Sequence, residues 1–251
     1  MAEAMVLRER PGRLWLILVG LAAAGFAAAT PYLAAMIGPM LAQRGRTTPL
    51  AVVLVAQGAQ VLVACGAAAF AGVKLAGRYG LDAPWLRALA QGAPRPRGFG
   101  RTAGYALIVG SLASIATLAA LLAVRPWAPP QLWQSAPHGS FLLGATSAFY
   151  GGIVEELLMR WGLLSLVLWA VRGSFWTANV LTAVLFGVGH LPAAIGLGLP
   201  LTAGLFAHVL LGNCVAGLVM GWLFRQRGLE AAMIAHAAAD VWLHAALPAL
   251  T

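Results

Sequence analysis

The sequence predicts an all-α fold: a polytopic transmembrane bundle of about seven helices. Three observations predict it. Of 251 residues, 61% are hydrophobic and only 9% are charged, against about 25% charged in a typical soluble domain. Mean hydropathy is +0.85. Long apolar runs recur along the chain, and about 20 helical residues suffice to cross a ~30 Å hydrocarbon core. A disordered chain and a soluble globular domain are both excluded. There are 16 Lys and Arg against seven acids, and the pI is near 11.0. Such a balance can mark a nucleic-acid binder, but the bases sit between apolar spans and form no single stripe. The expected partners are membrane lipids with anionic headgroups and no nucleic acid.

Charged and Pro/Gly-rich breaks divide the chain into seven runs, 14–40, 50–73, 103–124, 141–171, 176–190, 200–223 and 229–247. The first follows Arg8, Arg10 and Arg13 in the manner of a signal peptide. It continues past Pro31, however, and reads as a retained anchor. Between the second and third lies a basic loop, 74–101. Inside it Pro84-Trp85-Leu86-Arg87-Ala88-Leu89 has the pattern of a short interfacial helix, with Asp82 as its expected cap. The fourth run is long enough to project beyond the membrane, and a break near Trp161-Gly162 would raise the helix count to eight. The fifth is short for a full span and is expected to end at Pro192. Glu230 opens the last. The whole of 1–251 is expected to form one membrane-embedded domain, with 141–247 as the part that carries the acids and histidines within the spans.

Orientation follows from the positive-inside rule. With the N-terminus inside, the inner segments hold Arg8, Arg10, Arg13, Lys74, Arg78, Arg87, Arg95, Arg97, Arg101, Arg172, Arg225 and Arg227. The outer ones hold Arg44, Arg46 and Arg125. An integral protein of a prokaryotic cytoplasmic membrane is expected. Cys65 and Cys214 stand alone, so neither a disulfide nor a thiolate metal site is expected.

Ionisable side chains inside a bilayer are costly and usually functional. Glu3, Glu9 and Asp82 are peripheral, and His138 lies in a loop. Within the spans the acids are Glu155, Glu156 and Asp240, accompanied by His190, His208, His236 and His244. In Glu155-Glu156-Leu157-Leu158-Met159-Arg160, Glu156 and Arg160 are i,i+4 neighbours and can pair. Glu155 lies about 100° round the helix from Glu156, free for other work. Phe186 and His190 share a helix face, and Gly187 and Gly189 admit a neighbouring helix. His236 and Asp240 share another face. Taken singly, each pair also reads as a structural lock between helices. His244 reads as structural, and His208 and Asn213 as bonded across the bundle.

In order, these clusters resemble the CPBP family of intramembrane proteases, which holds the CAAX prenyl proteases and the bacteriocin-processing Abi proteins. The family pattern is EExxxR, FxxxH and HxxxN or HxxxD. Here it reads Glu155-Glu156-x3-Arg160, Phe186-x3-His190 and His236-x3-Asp240, with Gly221-Trp222-Leu223-Phe224 before Gly228-Leu229 similar to the run ahead of the third motif. The resemblance covers about 141–245; the first three helices carry no matching motif. It implies an endopeptidase in which Glu155 and His190 activate a water. His236 and Asp240 would orient substrate or stabilise the oxyanion, and Glu156 and Arg160 would support the site. The implied substrate is a membrane-associated or lipidated peptide.

Zinc or another divalent metal, held by Glu155, His190, His236 and Asp240, stands beside a metal-free glutamate mechanism. Asp240 in place of asparagine bears on that choice, because an ionised aspartate cannot donate a hydrogen bond. A proton-coupled transporter and a non-catalytic scaffold or immunity protein are the alternatives. The absence of an evident internal repeat argues against the first.

Overall fold

The apolar runs become helices because lipid offers no partner to a free N–H or C=O. A computed structural model of the chain describes residues 10–134, 140–196 and 198–250. Glu3, Glu9, Arg8 and His138 lie outside the described residues. Helix α1 (Pro11–Gln43) starts on a proline and runs through Pro31 and Pro39. Helix α2 (Leu50–Leu75) leads through a 3-10 turn, Ala76–Tyr79, to the short α3 (Pro84–Gln91) and then to α4 (Phe99–Val124). Helix α5 covers 141–170. Its turns are α-helical at Phe141–Ala145, Ser147–Phe149 and Ser165–Ala170, and wider, π-type, at Tyr150–Glu155 and Leu157–Leu164. Then come α6 (Phe175–Gly196) and α7 (Ala203–Arg227). Last is α8 (229–250), which is regular over Leu229–Asp240 and π-type over Val241–Ala246.

Five of these units are long and apolar enough to cross a membrane: Pro11–Gln43, Leu50–Tyr79, Phe99–Trp127, Phe175–Gly196 and Ala203–Arg227. Their outward faces are apolar: Val55, Val63, Ile108 and Ile115 are 74, 76, 61 and 64% exposed. Water would not tolerate so broad an apolar surface on a monomer, and lipid does. The protein is an integral membrane protein.

Helix α5 is the axis of the bundle, with Val154, Leu157, Trp161 and Leu164 fully buried. The expected break at Trp161-Gly162 does not occur. Trp161 Nε1 instead donates to Ala69 O at 3.3 Å. Gly162 abuts Ala68, and Gly72 abuts Trp161, so the glycines serve close helix packing. Gly110 against Ala235 and Gly152 against Met233 and Ala237 do the same for α8. Gly187 meets Leu210 and Cys214, whereas Gly189 faces open space, contrary to the expected helix contact there. Asn213 donates to Val209 O on its own helix at 2.8 Å, not across the bundle. His208 is half-buried on α7.

Two further expectations change. Pro192 lies inside α6, which continues to Gly196 and is a full span. Asp82 does not cap α3. Its Oδ1 accepts from Ala83 N at 2.8 Å and pairs with Arg87 Nε at 2.6 Å. The cap comes from a distant helix: Glu230 Oε1 accepts from Trp85 N at 2.9 Å and Leu86 N at 2.8 Å. Those are orphan donors of the first turn. The α7–α8 turn makes this possible. Gly228 has φ +90°, and a Cβ there would meet Pro84 and Asp82, so only glycine brings the two segments together.

This junction also brings the third motif level with the first. Taken as straight spans, α8 places His236 far nearer the basic end than Glu155. But α8 starts within the bundle: Leu229, Glu230, Ala231 and Ala232 are all buried, and Leu229 N donates to Asp82 O at 2.9 Å. The segment around Leu81, Ala83 and α3 forms a floor beneath it. That floor lifts His236 to the level of Glu156.

Candidate active site

Helix α5 presents two adjacent glutamates to the same histidine. Glu156 Oε1 lies 2.6 Å from His236 Nδ1, and Glu155 Oε2 lies 3.7 Å from His236 Nε2. The other oxygen of Glu155 lies 3.6 Å from His190 Nε2. One carboxylate therefore orients the imidazole from behind, and the other faces both rings from the front. Glu155 ends the wide turns over Tyr150–Glu155, and Glu156 joins them to those over Leu157–Leu164. Such π-type turns recur at functional sites.

The histidine tautomers follow from their partners. His190 Nδ1 lies 2.8 Å from Phe186 O. A carbonyl only accepts, so Nδ1 carries the proton and the Nε2 lone pair faces the gap toward Glu155, where a water can donate to it. His236 Nδ1 likewise donates to Glu156 and turns Nε2 toward Glu155 and Asp240, whose Oδ1 is 3.7 Å away.

Burial divides the cluster into a support and a working face. The side chains of Glu156 and Arg160 are 0 and 2% exposed; those of Glu155 and His190 are 17 and 36% exposed. Arg160 Nη1 sits 3.2 Å from Glu156 Oε1, and Nη2 donates to Gly217 O at 3.4 Å. Phe186 fills the space between these layers. Its ring lies edge-to-face with His190 at 4.7 Å and with His236 at 6.0 Å, and the Arg160 guanidinium stands 4.9 Å from its centroid. Three carboxylates face one guanidinium. Within an apolar bundle such charged groups persist only when paired and hydrogen-bonded to one another.

All seven residues singled out in the three motifs thus meet in one place. Sequence reasoning missed others. Gly151 stands one helical turn before Glu155, and a Cβ on it would run into Asp240 Oδ2 and come within 2.9 Å of His236 Nε2. Its i,i+4 spacing to Glu155 was the available signal. Tyr32, on the motif-free α1, places its hydroxyl 3.4 Å from His244 Nδ1, and His244 Nε2 lies 4.0 Å from Asp240 Oδ1. His244 is therefore a neighbour of the cluster. Nothing in the sequence pairs Tyr32 with it.

We expect Gly151→Ala to cut any hydrolytic activity by roughly 10-fold or more, because the added Cβ displaces Asp240 and crowds His236. Alanine is about 1 kcal/mol the better helix former, which offsets part of the overpacking cost of about 1–3 kcal/mol and should leave the fold intact. A cleavage assay beside a thermal melt reads both.

The free donors toward a metal would be His190 Nε2, His236 Nε2, a Glu155 oxygen and Asp240. Among the described residues, no group of three or more His, Cys, Asp or Glu side chains is placed to hold a metal ion.

A carboxylate flanked by two oriented imidazoles, reachable from outside and set in a membrane bundle, defines a site of membrane-embedded hydrolase type. Residues 137–242 match the family described as type II CAAX prenyl endopeptidase Rce1-like. That region is therefore similar to the CAAX prenyl endopeptidases, and it contains all seven motif residues. No curated protein and no solved structure matches the chain. The match supports CAAX-type intramembrane endopeptidase activity in general.

Proposed function

We propose that the protein hydrolyses a peptide bond of a membrane-associated or prenylated peptide, with Glu155 and His190 activating the attacking water. The observation that carries this reading is the convergence of Glu155 on His190 Nε2 at 3.6 Å and His236 Nε2 at 3.7 Å. A water accepted between Glu155 and His190 gives one proton to the Glu155 carboxylate. Its oxygen bonds to the scissile carbonyl carbon, and the carbonyl oxygen takes up negative charge. His236 and Asp240 border that position, and a proton held on either of them donates to the oxyanion. Collapse breaks the C–N bond, and the proton on Glu155 passes to the leaving amine. The remaining proton of the new carboxyl group passes to the amine, so the products are a carboxylate and an ammonium group, and Glu155 is regenerated. Glu156 and Arg160 act by holding His236; Phe186 holds both rings.

The distribution of bases supports an inside N-terminus. Twelve Lys and Arg then fall on inner segments and Arg44, Arg46 and Arg125 on outer ones.

The test is cleavage of peptide reporters, farnesylated and unmodified, by the purified chain in proteoliposomes. His190→Ala and His236→Ala should each lose activity by about 100-fold or more. Wild-type cleavage by both variants would overturn the assignment. Cleavage of the farnesylated reporter alone would support a prenylated substrate, and cleavage of both an unlipidated one. Full activity after removal of divalent metals supports the metal-free glutamate route; loss restored by zinc would contradict it.

A further inference from the structure

At the far end of α1 from Tyr32 lies a second polar feature that the peptidase chemistry does not use. A cavity of 210 Å³ opens among Arg10, Lys74, Arg78 and Arg87, with Leu14 and Val73 in its wall. Arg10 is 22 residues before Tyr32, about 33 Å along a helix, so this cavity is remote from the active site. It is formed where the start of α1, the end of α2 with its 3-10 turn, and the outer face of α3 come together.

Four side chains with a full positive charge converge on this space, and no acid lines it among the described residues. Asp82 pairs with Arg87 at 2.6 Å and offsets one of them. The first turn of α1 contains no acidic residue and its cap has no side-chain hydrogen bond. The positive end of its dipole is thus added to the same region. Like charges in one cavity repel unless an anion joins them. The cavity lies at the ends of two membrane-crossing units, Pro11–Gln43 and Leu50–Tyr79, where hydrocarbon gives way to headgroups. Its wall is correspondingly mixed, with cations beside Leu14, Val73 and Ala90.

We propose that this cavity is a binding site for the phosphate headgroup of an anionic phospholipid. The basic side chains hold the phosphodiester, and the apolar wall takes the first part of the acyl chains. The phosphate chemistry alone would also suit a free phosphate. The apolar wall and the position at the membrane edge favour the lipid. This inference is independent of the peptidase reading.

The experiment is native mass spectrometry of the purified full chain, offered equal amounts of phosphatidylglycerol and phosphatidylcholine. The wild type should retain one phosphatidylglycerol in preference. Each surface Lys or Arg contributes roughly fivefold to anionic-lipid affinity. Lys74→Ala/Arg78→Ala should therefore weaken retention roughly 25-fold. Both side chains are exposed, so the fold should survive, and an unchanged melting temperature in lipid-free detergent checks this. Arg95→Ala/Arg97→Ala, which removes two charges of the same loop outside the cavity, should retain the lipid. Equal retention by the Lys74/Arg78 variant would overturn the proposal. So would equal loss in the Arg95/Arg97 variant, since that marks diffuse attraction. Complete displacement by millimolar inorganic phosphate would assign the cavity to a free anion instead.

Discussion

Glu155→Gln should abolish peptide cleavage, lowering kcat by roughly 1,000-fold or more, while the protein remains folded. General-base catalysis is worth typically 10²–10⁴-fold, and the amide can neither take the proton of the water nor return it to the amine. The substitution is nearly isosteric, and Glu155 makes its contacts at 3.6 and 3.7 Å, not in the tight, buried layer below. The melting temperature in detergent should therefore change little. Substrate affinity should also be retained, so that the variant binds reporter peptide and holds it uncleaved. Cleavage near the wild-type rate would remove Glu155 from the reaction.

Glu156→Ala should act in the opposite way, through structure first. Glu156 is fully buried and joins Arg160 at 3.2 Å to His236 at 2.6 Å. Its removal leaves a guanidinium, itself 1% exposed, without its carboxylate. Breaking a buried pair in this manner costs about 3–5 kcal/mol. A large drop in thermal stability should accompany loss of activity, because His236 loses the bond that fixes its ring. The double variant Glu156→Ala/Arg160→Met should recover much of the stability, since no lone charge then remains buried, but not the activity. Equal stability of Glu156→Ala and wild type would show that the lower layer does not support the site.

The helices and the site residues are legible in the sequence for one reason: polar side chains are so scarce in an apolar chain. Glu155, Glu156 and Asp240 stand out because lipid-buried acids are costly, and spacing within each motif puts partners on common faces. What cannot be read is how motifs from different helices meet. The role of Phe186 as a wedge among Arg160, His190 and His236 depends on three helices at once. So does the gripping of His236 by both glutamates, and the wide turns of α5 that permit it are not encoded by a local pattern. Gly162 and Pro192 mislead in the usual direction, because each is a breaker in a peptide but is tolerated inside a packed membrane helix. Glu230 not only opens α8 but also caps α3, a contact across 144 and 145 positions of sequence. The same contact brings His236 level with Glu156, as α8 rests on a floor built from a loop.

Oxygen transfer from solvent reports directly on whether Glu155 delivers water to a peptide bond. Reporter peptides, prenylated and unmodified, are cleaved by proteoliposomes in ¹⁸O-labelled water, and the newly formed carboxyl terminus is weighed by mass spectrometry. The wild type should insert one labelled oxygen there, and Glu155→Gln should yield no product. Absence of cleavage of both reporters by the wild type, unlabelled product, or labelled product formed by Glu155→Gln at the wild-type rate would contradict hydrolysis by this glutamate.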